Sequence, residues 1–173
     1  MKVTTATLTA EDVEAMWKIN EQGLPGLGKV SAKEMGALLE KSCFALGAFR
    51  GESLAGFVLC LHPNSSYGSL NYRWFNERYS GFLYVDRVAV GAKERNAGVG
   101  TLLYQSVSER ARLEGVPIAA EVNLEPPNPG SMRFHNRHGY VQVGTLAHSN
   151  YTVAMMIRTE AGNPSERTDL PSN

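Results

Sequence analysis

The sequence predicts a single α/β (α+β) domain, a mixed sheet with helices flanking it. Three observations carry that expectation. The 173 residues suffice for one core without covalent staples, and two cysteines are too few for a disulfide scaffold. Segments that alternate like strands and segments with helical periodicity follow the order β-α-α-β-β-loop-β-α-β-α-β-β. At 88–100 the text VAVGAKERNAGVG takes an apolar β-type run through a short polar turn into a helical pattern.

Residues 3–8 alternate as a strand should, and Thr9 followed by Glu11 and Asp12 marks a helix start with acidic residues in its first turn. The helix places Val13, Met16, Trp17 and Ile19 on one face and breaks at Gly23-Leu-Pro25-Gly26. Ser31 opens a second helix, SAKEMGALLEK, with Glu34 at capping-box distance and Met35, Leu38 and Leu39 as its apolar stripe. Residues 44–49 and 54–61 read as a hairpin. If Gly51 and Glu52 form its turn, Arg50 pairs with Ser53, and counting outward sets Cys43 opposite Cys60 as two reduced buried thiols or a redox clip.

The stretch 62–80 has no sustained period yet carries Tyr67, Tyr72, Trp74, Phe75 and Tyr79, so it reads as a long aromatic loop. Its rings either pack onto the core, form a subunit contact or line a ligand pocket. A strand over 81–90 follows, then a helix over 99–113 with Leu102, Leu103, Val107 and Ala111 on its buried face, and a strand over 117–123. A helix over 129–138 ends at Gly139, a left-handed cap position, and strands over 140–148 and 151–158 complete a domain of residues 1–158. The tail 159–173 is polar and lacks an apolar face, so disorder is expected there.

The formal net charge is zero, which gives no broad attraction to nucleic acid or anionic membrane. No apolar stretch is long enough to span a bilayer, and the start MKVTTATLTAED lacks the apolar middle of a signal peptide, so a cytoplasmic location is expected. The histidines at 62, 135, 138 and 148 have no recognisable zinc spacing, and no metal site is expected.

Gly98 and Gly100 at the opening of a helix suit an anion seat. Glycine lets the backbone approach a bulky anion, and the amides of a first helical turn lack intrahelical partners at the positive end of the dipole. A plain connecting turn is the other reading of the same glycines. A P-loop is excluded because no Gly-Lys-Ser/Thr is present, and a dinucleotide fingerprint because no third glycine follows Gly100 at the required spacing.

Arg95, two residues, Gly98, one residue and Gly100 after a strand resemble the coenzyme A signature of the GNAT acyltransferases. The block NPGSMRFHNRHGY is similar to that family's second motif, with Asn128, Ser131, Phe134, His135, Gly139 and Tyr140 in the matching slots. The specific motifs span 82–140. The resemblance implies a GNAT fold, mostly antiparallel, whose central strands splay apart to admit the pantetheine arm of acetyl-CoA between 88–90 and 122–123. It also implies that main-chain amides of Asn96, Ala97, Gly98, Val99, Gly100 and Thr101 hold the pyrophosphate, next to Arg95. Val88, Ala89 and Val90 would pair with the arm through their main chain, and Asn128 would contact it through its side chain. Asn128 directly before Pro129 also reads as a helix N-cap.

The reaction so implied is acetyl transfer from acetyl-CoA straight to an amine, without a covalent enzyme intermediate; Cys43 and Cys60 lie far from the cradle in sequence. An amine of pKa ~10.4 is neutral in only about one molecule per few thousand at neutral pH, so a base matters. Asp86 is the first candidate base, with an ion pair to neighbouring arginines as its other reading, and Glu121 on the adjacent strand is the second. His135 stands where many family members carry a tyrosine that protonates the departing sulfur; packing alone is its other reading. His138 reads as a helix C-terminal residue favoured by the dipole. Tyr72, Trp74, Phe75 and Tyr79 are assigned to the pocket of a small-molecule amine, an amino acid among the candidates. A catalytically idle acyl-CoA sensor is the rival function. A homodimer contact through the strands after Tyr140, using Tyr151, Met155 and Met156, competes with core packing of the same side chains.

Overall fold

The structure, a computed structural model, describes residues 2–159; the expected disorder of the tail falls almost wholly outside them. The elements are β1 (Val3–Thr7), α1 (Val13–Glu21), α2 (Ala32–Lys41), β2 (Phe44–Arg50), β3 (Ser53–Leu61), α3 (Leu70–Asn76) and β4 (Leu83–Val90), then α4 (Val99–Glu114), β5 (Ile118–Glu125), α5 (Pro129–Arg137), β6 (Val141–Ala147) and β7 (Thr152–Arg158). The strands form one seven-stranded sheet in the order β1-β2-β3-β4-β5-β7-β6, antiparallel except where β4 meets β5.

Local chemistry sets the helix ends. The Ser31 amide donates to Glu34 Oε2 at 2.7 Å and the Glu34 amide returns a bond to Ser31 Oγ at 3.1 Å, which closes the capping box on α2. A single 3-10 turn over Ala10–Asp12 precedes α1, with the Thr9 amide donating to Asp12 Oδ2 at 2.8 Å. Gly139 follows α5 at φ +84°, a left-handed conformation that costs glycine little.

Strand alternation divides the core between the two faces of the sheet. Phe57, Leu59 and Leu61 of β3 face α1, α2 and α3, while Val58 and Cys60 face α4. Met155 and Met156 of β7 are fully buried, one on each side, so packing within the protomer accounts for both and neither is available as a dimer surface.

Two expectations are corrected. The β2–β3 hairpin keeps Arg50 opposite Ser53, but a register shift after Phe49 leaves Ala55 without a partner and sets Phe44, not Cys43, opposite Cys60. Both cysteines are free thiols, and burial pushes the Cys43 thiol up to about 11, so it is not ionised at neutral pH.

The second correction concerns the aromatic stretch, which contains the helix α3 with Ser69 as its N-cap. Tyr72 and Phe75 are fully buried, and their rings lie 5.3–6.2 Å from those of Phe82 and Tyr84. Burying these rings stabilises by about 2–3 kcal/mol each, more than a surface loop could recover.

The feature that makes a site is the failure of β4 and β5 to stay together. They pair only at Leu83↔Ile118 and Tyr84↔Ala119 and are unregistered thereafter. In the next stretch of β4, Asp86 is an extra residue against β3, because Leu59 faces Arg87 while Cys60 faces Val85. Such a bulge bends the strand and re-aims its side chains. The central sheet therefore opens into a cleft at the C-terminal end of its one parallel pair, as expected for 88–90 and 122–123.

Candidate active site

The opening is a cleft of about 790 Å³ walled by Val85 to Val90 of β4 and Ala120 to Asn123 of β5. Gly23 and residues 25–28, from the loop between α1 and α2, form one rim. Tyr67, Ser69 and Asn71 come from the start of α3 and the segment before it, Asn150 and Tyr151 from the β6–β7 turn, Tyr104 from α4, and Asn128, Ser131 and His135 from α5.

Both candidate bases face this space, in different surroundings. Arg87 Nε donates to Asp86 Oδ2 at 2.7 Å, and the two side chains are only 7% and 4% exposed. The same guanidinium donates through Nη1 to Asn20 Oδ1 at 2.9 Å and to the Gly28 carbonyl at 3.3 Å. The arginine thus fastens the rim loop to the bulge in β4, and Asp86 is the counter-charge that makes its burial tolerable. The ion-pair reading of Asp86 is the one the geometry realises.

Glu121 has no cation bonded to it among the described residues. The Tyr84 hydroxyl lies 2.8 and 2.9 Å from its two oxygens, and Asn71 Nδ2 donates to Oε1 at 3.2 Å. Burial, with the Asp86 charge as the second cause, pushes its carboxyl up to about 8; the two hydrogen bonds oppose the shift without cancelling it. Asn71 is fixed in turn by His148, whose Nε2 donates to Asn71 Oδ1 at 2.8 Å while its ring stacks on Tyr151 at 4.1 Å. The carboxylate is held still by neutral donors and stays free to exchange a proton.

His135 lines the cleft but has no proton to offer it. Its Nδ1 is 2.8 Å from the Ser131 carbonyl, which can only accept, so Nδ1 carries the hydrogen. Its Nε2, 2.7 Å from the Tyr104 hydroxyl, is then an acceptor. Burial lowers the pKa of the ring and keeps it neutral. In this arrangement the expected acid role finds no ring proton directed at the cleft, and the histidine instead accepts the hydrogen of the Tyr104 hydroxyl.

The cofactor end shows features that suit acetyl-CoA. A Cβ built on Gly100 would meet only Val90 Cγ2, at 3.8 Å, so nothing in the fold requires glycine at that position. Gly98 differs: it is the N-cap of α4 at φ +79°, where a side chain is strained. Val99 is buried against the core, which anchors the first turn and leaves the main-chain amides of Val99, Gly100 and Thr101 as its unpaired donors. Asn96 also adopts a left-handed conformation, at φ +62°. Arg95 lines the cleft, with Nη2 donating to the Gln22 carbonyl at 2.7 Å. Residues 96–101 lie beyond the lined cavity, past the C-terminal end of β4, where a long ligand would emerge. Asn128 serves as the N-cap of α5, its Oδ1 accepting from the Ser131 amide at 3.2 Å, and its Nδ2 is the group left for a ligand.

The four rings assigned to an acceptor pocket are not in the cleft lining. Tyr72 and Phe75 belong to the core, Tyr79 packs near Phe75, and Trp74 lies against Gly144. The aromatic stretch contributes Tyr67 instead. Arg87, Asn71, Tyr84 and Tyr104 were missed as functional candidates. Of these only Tyr84 had a signal, since it precedes Asp86 by two residues on the cradle strand, the spacing at which unbroken alternation puts two side chains on one face. The described residues hold no cluster of metal-ligating side chains, and none of their helices is long and apolar enough to cross a membrane.

Comparison with known proteins gives a consistent result. The family model described as the acetyltransferase (GNAT) family matches residues 13–140. Among solved structures the chain is similar to the ribosomal-protein-S18-alanine N-acetyltransferase from Escherichia coli, at 14% identity and TM-score 0.72 over 94% of this chain and 98% of that one. It is similar to Ard1 from Thermoplasma volcanium at 18% identity and TM-score 0.74, over 91% and 97% of the two chains. It is also similar to yncA from Salmonella typhimurium, solved with its cofactor acetyl-CoA, at 14% identity and TM-score 0.70, over 94% and 96%. At such identities the likeness is one of fold. No curated protein sequence matches the chain.

Proposed function

Because the chain belongs to the acetyltransferase (GNAT) family, whose acyl donor is acetyl-CoA, we propose that it transfers the acetyl group directly to the amine of a small molecule with Glu121 as general base. The observation that carries this reading is the raised Glu121 carboxyl in the wall of the splayed cleft, held by Tyr84 and Asn71. A carboxylate of ordinary pKa lies about six units below an amine of pKa ~10.4, whereas one near 8 lies about two and a half below it. Proton transfer from the amine is easier by that difference.

When bound, acetyl-CoA supplies an acyl carbon already activated as a thioester. Main-chain amides of Asn96, Ala97, Gly98, Val99, Gly100 and Thr101 would hold its diphosphate, and Val88, Ala89 and Val90, unpaired towards β5, would hold its arm. Asn128 Nδ2 would add a contact while Oδ1 keeps its capping bond. Glu121 receives the amine proton, and the Tyr104 hydroxyl, which donates its one hydrogen to His135 Nε2, would have to turn that hydrogen towards the departing sulfur to assist it. Replacing His135 with phenylalanine is expected to lower kcat about tenfold, and Tyr104→Phe by a similar factor. Because the two act as one unit, the double variant should lose no more than either single variant in a thiol-release assay. Additive losses would separate them.

The transferase reading is tested by incubating the protein with acetyl-CoA and a panel of amines and following free thiol. Acceptor-dependent release supports it; tight acetyl-CoA binding with no release across the panel supports an idle sensor. The likeness in fold to an N-acetyltransferase of a ribosomal protein makes a protein N-terminus the second acceptor class, so the panel includes peptides.

A further inference from the structure

Arg87 is held in a way that leaves one corner of its guanidinium unused. Nε donates to Asp86 Oδ2 at 2.7 Å, and Nη1 donates to Asn20 Oδ1 at 2.9 Å and to the Gly28 carbonyl at 3.3 Å. Among the described residues Nη2 has no hydrogen-bond partner, although the side chain is only 7% exposed. Buried donors are ordinarily paired, so an open one in the wall of a cleft marks a place for an acceptor atom on a ligand. The rim loop does not cover it: a Cβ on Gly28 would stand 3.8 Å from Nη2, and glycine leaves that space open. Tyr67, whose hydroxyl stands beside the ion pair, supplies a second polar group at the same spot.

This corner and the proposed base share one half of the cleft. Arg87 lies opposite Leu59 and reaches α1 and the loop after it, while Glu121 is bonded to Asn71 of α3; α1 and α3 cover the same face of the sheet. Tyr104 belongs to the other face. Arg87 and Glu121 stand three and two residues beyond the last paired positions, Tyr84 and Ala119, so they leave neighbouring strands at nearly one level. Such a pair suits an amine and an oxygen a few bonds apart. Asp86 balances the charge of the guanidinium but not its spare N–H groups, which can go to a carbonyl as well as to a carboxylate. Resting on the transferase reading above, we infer that Arg87 Nη2 is the specificity donor of the acceptor site: the acetylated amine belongs to an α-amino acyl group, whose carboxyl or carbonyl oxygen accepts from Nη2. A free amino acid and the N-terminus of a chain share this chemistry. A plain alkylamine lacks the oxygen, and by shutting water out it leaves the donor unpaired, which weakens its binding by about tenfold or more.

The test uses three stable conjugates in which the sulfur of coenzyme A is joined through an acetyl linker to the amine of leucine, leucinamide or isopentylamine. Their binding to the whole protein is measured by calorimetry at pH 7 beside coenzyme A alone, so no turnover is needed. At least one of the leucine and leucinamide conjugates is expected to bind about tenfold or more tightly than the isopentylamine conjugate. Preference for leucine over the amide points to a free amino acid, equality or the reverse to a chain N-terminus, and both support the inference. Arg87→Lys keeps a cation for Asp86 but has no second corner, so it should bind coenzyme A as the wild type does and close most of the gap. A gap unchanged in the folded variant overturns the assignment to Nη2; if the variant fails to fold, the wild-type comparison alone decides. An isopentylamine conjugate as tight as the other two, with all three tighter than coenzyme A, overturns the inference and leaves the transferase reading standing. If no conjugate binds better than coenzyme A, the cleft does not hold donor and amine together, and both readings fall.

Discussion

Replacing Glu121 with glutamine is expected to lower kcat/KM by about a hundredfold to ten-thousandfold near pH 8 while making the fold harder to unfold. The two effects have one origin. Glutamine keeps an oxygen for the bonds from Tyr84 and Asn71, so the wall of the cleft is preserved, but it cannot accept the amine proton. In the unfolded chain the carboxyl titrates in the ordinary glutamate range near 4.5, and in the folded protein near 8. Between these values the unfolded state releases a proton that the folded state retains, so stability falls as pH rises through the window and levels off above it. Glutamine removes that penalty, which amounts to about 2–4 kcal/mol once allowance is made for relaxation of the site. Urea unfolding near pH 6 and near pH 9 measures it: the wild type should lose stability relative to the variant between the two. Retained activity in the variant would move the base elsewhere, and equal stability at both pH values would mean an ordinary carboxyl. Asp86 is a poor control, because neutralising it leaves Arg87 buried without its counter-charge and costs about 3–5 kcal/mol of folding stability.

What could be seen in the sequence was local. The Ser31–Glu34 capping box, the left-handed Gly139 and the strand–turn–helix passage at 88–100 each depend on residues a few positions apart, and each has the expected form. Asp86 was found from its place two residues before Val88, where the family resemblance puts an acid, and Glu121 as a carboxylate on the adjacent strand; both line the cleft. Their unequal roles were hidden. Arg87 reaches Asn20 and Gly28, and Asn71 reaches Glu121, across separations no periodicity records. The helix α3 escaped because seven residues make too short a window, and its buried pair, Tyr72 and Phe75, reads as two of several aromatics in an irregular stretch. The cysteine register failed for a different reason: one unpaired residue, Ala55, shifts every partner beyond it, and nothing about an alanine announces a bulge. His135 was placed correctly in the cleft, but its role depends on the partner of each ring nitrogen, Ser131 on its own helix and Tyr104 on another.

The account depends most on the anion seat at the start of α4, and the structure says which glycine can probe it. Gly98 cannot, since its left-handed conformation would strain any replacement by about 1 kcal/mol and confuse folding with binding. Gly100 can. It lies inside the first turn with room for a Cβ, and leucine is the better helix former by up to about 1 kcal/mol, so Gly100→Leu should fold with an unchanged or slightly higher Tm. The same side chain would stand where the diphosphate must approach the amides of Val99, Gly100 and Thr101. Losing two or three charge-assisted hydrogen bonds costs about 3 kcal/mol or more, a factor of roughly a hundred in Kd. Calorimetric titration of coenzyme A into the wild type and Gly100→Leu, with melting curves of both free proteins, is the direct measurement. The account predicts binding weakened by about a hundredfold or more in a variant that melts like the wild type; equal affinity in a folded variant would contradict it.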